Sequence, residues 1–163
     1  MIAPAPRFAL IRYGAVPEVL RCQLSADLQI GRGDRVLAET PRGLLLATCL
    51  ELEKPSSEPG AAAETDFTIE RLATPADLDE QQSLNQRAQR EFSAWEQRIA
   101  QWQLDLQLIE LEYTFDGSKA ILYVLNERGP DCTRLAIQAA AAGLGIIEVQ
   151  PVSAEGLVSL PAP

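Results

Sequence analysis

Glu110, Glu112 and Asp116 are the only carboxylates clustered on a segment that reads as a rigid element. Carboxylates so spaced can divide acid and base roles or hold a magnesium ion, which makes them the first candidates for chemistry. The competing reading is a solvated strand face balanced by Lys119, since nothing nearby predicts the burial that would shift their pKa values. Asp116 also has a structural task available to it in a turn. The chain contains no histidine, which removes the commonest general base and the commonest transition-metal ligand together. Ser56, Ser57 and Ser118 are therefore left without a base for acyl transfer.

Cys22, Cys49 and Cys132 are odd in number, widely separated and free of any Cys-x-x-Cys pair, so buried or half-buried thiols are expected. Gly31-Arg32-Gly33 lacks the third glycine and the following helix of a dinucleotide-binding turn, and no phosphate-binding loop of the G-x-x-x-x-G-K-[ST] type occurs. The expectation is a protein that is not an enzyme, with no catalytic residue, metal ligand or cofactor.

The 163 residues are 47% hydrophobic and 23% charged, the composition of an ordinary folded domain. The net charge of −9 is uneven: residues 1–52 carry six arginines against five acids, and the remainder carries the whole deficit. A polyanion would have to approach the N-terminal part, where Arg32, Arg35 and Arg42 lie in or beside turns and are the candidate RNA contacts. The overall charge disfavours bulk electrostatic binding of nucleic acid. No stretch reaches the ~20 apolar residues of a membrane span, and the opening MIAPAPRFALIRYG lacks the apolar core of a secretory signal. A cytoplasmic protein that does not enter the membrane is expected.

The elements that would position these residues are readable from periodicity. Strands are predicted at 8–13, 19–22, 36–39, 44–52 and 67–72, separated by Gly and Pro turn signals, and they suggest a small barrel or curled sheet. Residues 53–66 read as a mobile loop. Thr74-Pro75-Ala76-Asp77 has the cap, first-turn proline and acid of a helix start. Leu78, Leu84, Ala88, Phe92, Trp95, Ile99 and Trp102 then form one apolar face, which is expected to be core.

Asp116-Gly117 between alternating segments 106–115 and 119–125 predicts a two-residue hairpin turn pairing Phe115 with Ser118. That register places Ile109, Leu111 and Tyr113 opposite Val124, Leu122 and Ala120 on a buried face. Glu110, Glu112, Thr114, Lys119, Ile121 and Tyr123 then form an outer contact face, with Lys119 diagonal to Glu112. A helix over 130–142 stopped by Gly143 and a strand over 146–150 complete the pattern. The fold class is α+β: a β-rich part over 1–73, then a helix–hairpin–helix–strand part over 74–150 with helices on an antiparallel sheet, and a flexible tail over 151–163.

The segment Glu112-Tyr113-Thr114-Phe115-Asp116-Gly117-Ser118-Lys119, continued by Ile121-Leu122-Tyr123, resembles the core of the polymerase-suppressor (PSP-one) C-terminal domain family, whose bacterial members include the YaaT or RicT proteins. Glu39-Thr40-Pro41-Arg42-Gly43, Arg71-Leu72-Ala73-Thr74, Asp131-Cys132-Thr133-Arg134-Leu135-Ala136 and Ile146-Ile147-Glu148-Val149 extend the resemblance in order. It implies a non-enzymatic regulatory or adaptor role, as in RicT-like subunits of complexes that influence RNA processing. Some eukaryotic relatives look like RNA-binding factors.

RicT-like proteins also have a cysteine-rich segment tied to an iron–sulfur cluster. Here Gly145 leads into Pro151-Val152-Ser153-Ala154 without a cysteine, so the cluster is not carried over. After Arg42-Gly43 the family's acid and glycine are replaced by Leu45 and Ala47. The reading that results is an adaptor binding a protein partner through Arg42, Thr114, Asp116 and Lys119. The alternative is direct RNA binding by Arg32, Arg35 and Arg42, with a metal-dependent hydrolase as a third.

Overall fold

Alternating short strands with small residues on one face let five strands share a thin core. The computed structural model describes residues 7–53, 67–125, 130–153 and the backbone of 156–157, and the chain divides into two units, Met1–Asp79 and Glu80–Pro163. In the first, β1 (Arg7–Tyr13), β2 (Glu18–Leu24), β3 (Arg35–Thr40), β4 (Gly43–Leu52) and β5 (Ile69–Leu72) form a sheet in the order β2-β1-β4-β3-β5. Its neighbouring strands are antiparallel. Ala9, Ile11, Tyr13, Cys22, Val36, Ala38, Leu45, Ala47 and Cys49 share one buried cluster, the alternate residues expected to face one side of a pleated sheet.

The sheet edges β2 and β5 meet at a single parallel bridge, Gln23↔Thr68, where the Gln23 N–H donates to the Phe67 carbonyl at 2.9 Å. Among the described residues no closing ladder follows, so the barrel offered as one alternative is not formed. β5 has only 4 residues and its register against β3 shifts at Leu37/Ala38, too little regular strand to seal the edge. The chain stays on the sheet through Glu53, whose N–H donates to Phe8 and whose carboxylate pairs with Arg21 at 2.9 Å. The rest of the expected mobile loop, residues 54–66, lies outside the described residues, as do Ser56 and Ser57.

The long helix α1 (Pro75–Gln101) starts where its cap residues predict. Asp77 accepts from the Thr74 N–H at 2.7 Å while the Asp77 N–H donates to Thr74 Oγ1 at 3.2 Å, a reciprocal capping box with aspartate in the third position. Arg71 adds a bidentate pair to the same carboxylate, Nη2 to Oδ1 at 3.0 Å and Nη1 to Oδ2. The Arg71 bond first, then the Thr74 N–H, hold the Asp77 carboxyl well below the usual carboxylate range.

Because the folded pKa lies below the unfolded one, this site stabilises the fold above the unfolded value near pH ~4 and loses that contribution as pH falls toward the folded value. Asp77→Asn is therefore expected to lower the urea midpoint at pH 7, and the gap from the parent should narrow steadily between about pH 4 and 2. A gap that stayed constant with pH would show that the carboxylate charge is not what the corner uses.

The second unit orders β6 (Gln107–Tyr113), β7 (Lys119–Leu125), β8 (Ile146–Ser153) and β9 (Gly156–Leu157) as one sheet, with α2 (Asp131–Ala141) between β7 and β8. β7 and β8 are parallel, so the sheet is mixed and not purely antiparallel as expected. The helix between them supplies the crossover that a parallel neighbour requires. The expected flexible tail is also corrected at its start: Pro151 and Val152 pair with Val124 and Leu125, and Ser153 pairs with Gly156. Residues 158–163 lie outside the described residues.

Leu84, Ala88, Trp95 and Ile99 enter the core with Leu108, Leu111, Leu122 and Leu135, and Phe92 and Trp102 pack against it. The apolar face of α1 is thus core, except that Leu78 in its first turn is 40% exposed. α2 stops as predicted, with the Gly143 N–H on Ala140 and the Leu144 N–H on Ala139, both at 3.1 Å. These are the paired bonds of a Schellman motif. Among the described residues no helix is long and apolar enough to cross a membrane.

Candidate functional site

The β6–β7 hairpin ends in an exposed tip whose polar groups are spent on holding one shape. Tyr113↔Ala120 is the last strand pair, and beyond it the Thr114 N–H donates to Lys119 at 3.0 Å and the Gly117 N–H to Thr114 at 2.8 Å. The turn therefore contains residues 115–118, and the predicted two-residue turn with Phe115 paired to Ser118 is not formed. The reason lies in Thr114 and Asp116. Thr114 Oγ1 donates to Asp116 Oδ1 at 2.7 Å and accepts the Lys119 N–H at 3.2 Å, while Asp116 Oδ1 also accepts the Ser118 N–H at 3.0 Å and its hydroxyl at 2.7 Å. This network favours the wider turn, with Gly117 in the left-handed region at φ +74°.

The Ser118 N–H first, then the Thr114 and Ser118 hydroxyls, hold the Asp116 carboxyl below its usual pKa. Asp116 is an exposed, ionised end to a rigid hairpin. A Cβ built on Gly117 would lie 3.7 Å from Arg87 Nη1 and 3.8 Å from Leu84 Cδ2, so α1 runs beside the tip. Arg87 stacks over Tyr113 at 4.0 Å and pairs with Glu91 at 3.4 Å, and Glu91 accepts the Tyr113 hydroxyl. Together these contacts fasten the hairpin to the helix.

The other expected contact residues take different places. Thr114 is buried at 3% exposure. Lys119 pairs with Glu148 of β8 at 3.4 Å, not with Glu112, because parallel pairing sets Glu148 beside Ile121. Glu112 instead accepts the Tyr123 hydroxyl at 2.6 Å. Ile121 and Tyr123 are fully buried, so the face expected to be open is not. A register shift between Leu108 and Glu110 also puts Leu108, not Ile109, opposite Val124. Glu110 is exposed, Glu112 is tied to Tyr123 and Asp116 to its own turn. Among the described residues no group of three or more carboxylates and thiols could hold a metal ion.

Arg42 is the largest departure, because it points inward. Its Nη1 donates to the Val16 carbonyl at 3.0 Å, Nη2 lies 3.7 Å from Glu18 Oε2, and Cζ sits 4.7 Å from the centre of the Tyr13 ring. At 3% exposure it offers a partner or an RNA almost no surface, and it serves to tie the β3–β4 turn to the β1–β2 hairpin. Burial, against the opposing Arg42 charge, pushes Tyr13 up to about 12. Burial likewise raises Cys22 to about 11 and raises Cys49 and Cys132. All three thiols are free and buried, as their spacing predicts, and are held in the unreactive protonated form.

Arg32 and Arg35 are exposed, Arg32 in the turn where the Gly31 N–H donates to Asp34 Oδ2 at 2.8 Å. Arg12, not singled out from the sequence, is exposed on β1. Its position on alternate parity to Ile11 and Tyr13 marks the outer face, but which strand lies beside it is not readable from spacing.

Residues 67–140 match the family model described as the PSP1 C-terminal conserved region. Over these residues the chain is similar to the PSP1 C-terminal conserved region. The matched stretch begins just before β5 and ends one residue short of the end of α2, so the Arg71–Asp77 corner, the aromatic face of α1 and the Asp116 tip all belong to it. The β1–β4 strands, with Arg12, Arg35 and Arg42, precede it. No curated protein and no solved structure matches the chain.

Proposed function

We propose that this PSP1-region protein is a cytoplasmic, non-enzymatic regulatory or adaptor protein that binds a protein partner, in the manner that its resemblance to RicT-like subunits of RNA-processing complexes implies. The observation that carries the reading is the Asp116 tip. The residues that carry the sequence resemblance build a pre-shaped, exposed anionic turn on two strands and a helix, and a pre-shaped turn loses little freedom on binding. Half-buried Phe115 lies beside the carboxylate, which suits a partner offering an arginine or lysine next to an apolar surface.

The test is affinity purification of the tagged full-length chain from its own cells, with and without nuclease. A stoichiometric, nuclease-resistant partner is expected with the parent and a loss of at least tenfold with Asp116→Lys. Asp116→Asn, which keeps a turn-forming side chain, should lose less. Retention of every partner by Asp116→Lys would remove the tip from the interface.

Direct RNA binding is the second reading, favoured by the exposed Arg32 and Arg35. It predicts affinity that falls steeply with salt. No aromatic side chain of the described residues is exposed, and single-stranded RNA is ordinarily gripped by stacking on such rings. The protein-binding reading is the better supported.

A further inference from the structure

We infer that the first sheet carries a second contact surface, the cross-strand row Arg12–Thr48–Arg35, and that it receives an acidic segment of a protein partner. Arg12 pairs with Thr48 of β4, and Thr48 pairs with Arg35 of β3. The residues next to these in each strand, Ile11, Tyr13, Ala47, Cys49 and Val36, are all core, so the row lies on the opposite face of the sheet. Neighbouring strands are about 4.8 Å apart. Two arginines thus flank a threonine hydroxyl, with their stems about 10 Å from each other.

Charge distribution gives this row its meaning. In a chain of net charge −9, six of the described basic side chains have an acidic partner: Arg21 with Glu53, Arg42 with Glu18, Arg71 with Asp77, Arg87 with Glu91, Lys119 with Glu148 and Arg134 with Asp131. Two more are otherwise engaged, Arg7 on the carbonyls of Ser25, Ala26 and Leu28 and Arg98 over the Trp95 ring. Among the described residues Arg12, Arg32, Arg35 and Arg90 are the basic side chains with no ion pair, hydrogen bond or ring contact of this kind. Two of these four share one row, and Arg32 belongs to the turn that leads into β3. The nearest acid in sequence, Asp34, is turned to the Gly31 N–H. Guanidinium groups left unpaired on a rigid strand are available for bidentate binding of carboxylate. The absence of an exposed aromatic among the described residues removes the rings on which RNA bases would stack, and the net charge of −9 disfavours a polyanion of many phosphates, so a short acidic protein segment is the ligand that the row fits.

The inference rests on the adaptor reading, and its test separates the two. A photo-crosslinking amino acid is placed at Thr48 in the tagged full-length chain in its own cells, and the captured segment is mapped by mass spectrometry. A segment of net negative charge is expected, with a yield at least tenfold lower in Arg12→Glu/Arg35→Glu, reduced in the milder Arg12→Gln/Arg35→Gln and unchanged in Arg90→Glu. The exposed positions should leave the melting temperature of these variants close to the parent's. A neutral or basic segment, captured RNA, a second copy of this chain, no capture, or a yield indifferent to both double variants would each overturn the row. If a partner still co-purifies in a manner dependent on Asp116 while the row fails, the adaptor reading stands without it.

Discussion

Replacing Trp95 by alanine is expected to destabilise the second unit by about 3–5 kcal/mol, the usual cost of deleting a large aromatic side chain from a packed core. Trp95 is 3% exposed and shares a cluster with Leu84, Ala88 and Ile99 of its own helix and with Leu108, Leu111, Leu122 and Leu135. Arg98 covers one side of the ring at 4.7 Å. Nothing at such a position can collapse to fill the space, because its neighbours are held by β6, β7 and α2. Leu78→Ala, on the same helix at 40% exposure, is expected to change stability by no more than about 0.5 kcal/mol.

Urea unfolding followed by far-UV circular dichroism separates the two cases. The comparison also bears on function. A helix face kept for a partner would tolerate Trp95→Ala in the isolated protein, whereas a helix face that holds the sheet would not. A cost below about 1 kcal/mol would make the α1 stripe a candidate docking surface.

How much of this was legible depends on whether a feature is local. The strands, the start of α1 and the stop of α2 rest on alternation, a Thr-Pro-Ala-Asp start and one glycine, and they appear where these signals put them. Register was legible only near the turn. Leu111 and Tyr113 face Leu122 and Ala120 as expected, but the shift before Glu110 depends on packing that no spacing rule reports. The hairpin turn was misread because Asp-Gly favours a two-residue loop, while Thr114 and Ser118 supply bonds to Asp116 that a wider loop uses better.

Parallel pairing of β8 and the position of Lys119 were hidden for the same reason. The sequence places a helix between two strands but does not say on which side of the hairpin the chain returns. The inward position of Arg42 is the feature of the site least readable from spacing. An arginine between Pro41 and Gly43 reads as exposed turn, yet its partners Tyr13, Val16 and Glu18 come from a hairpin far away in sequence.

That buried arginine gives the second large expected effect. Gly14 has φ +92° and Gly33 has φ +89°, so alanine at either position pays a similar backbone penalty, about 1–2 kcal/mol for a left-handed conformation. Their surroundings differ. A Cβ on Gly33 meets nothing within 4 Å, whereas a Cβ on Gly14 overlaps Arg42 Nη1 and lies 3.0 Å from Cζ and 3.1 Å from the Val16 carbonyl. Arg42 cannot swing aside without giving up Val16 and Glu18 and leaving a guanidinium buried without its partners, which is costly.

Gly14→Ala should therefore destabilise the first unit by about 1–3 kcal/mol more than Gly33→Ala, the cost range of overpacking. In a double-mutant cycle, Arg42→Lys removes the Nη1 atom that meets the new methyl group. The double variant should then be less destabilised than the sum of its two parents, a coupling of about 0.5 kcal/mol or more. Equal costs at Gly14 and Gly33 together with strict additivity would mean that the guanidinium does not occupy the hollow under the β1–β2 turn. Arg42 would then return to the surface as a contact residue. A large difference with coupling would leave the exposed Arg12–Thr48–Arg35 row as the basic surface that this sheet presents.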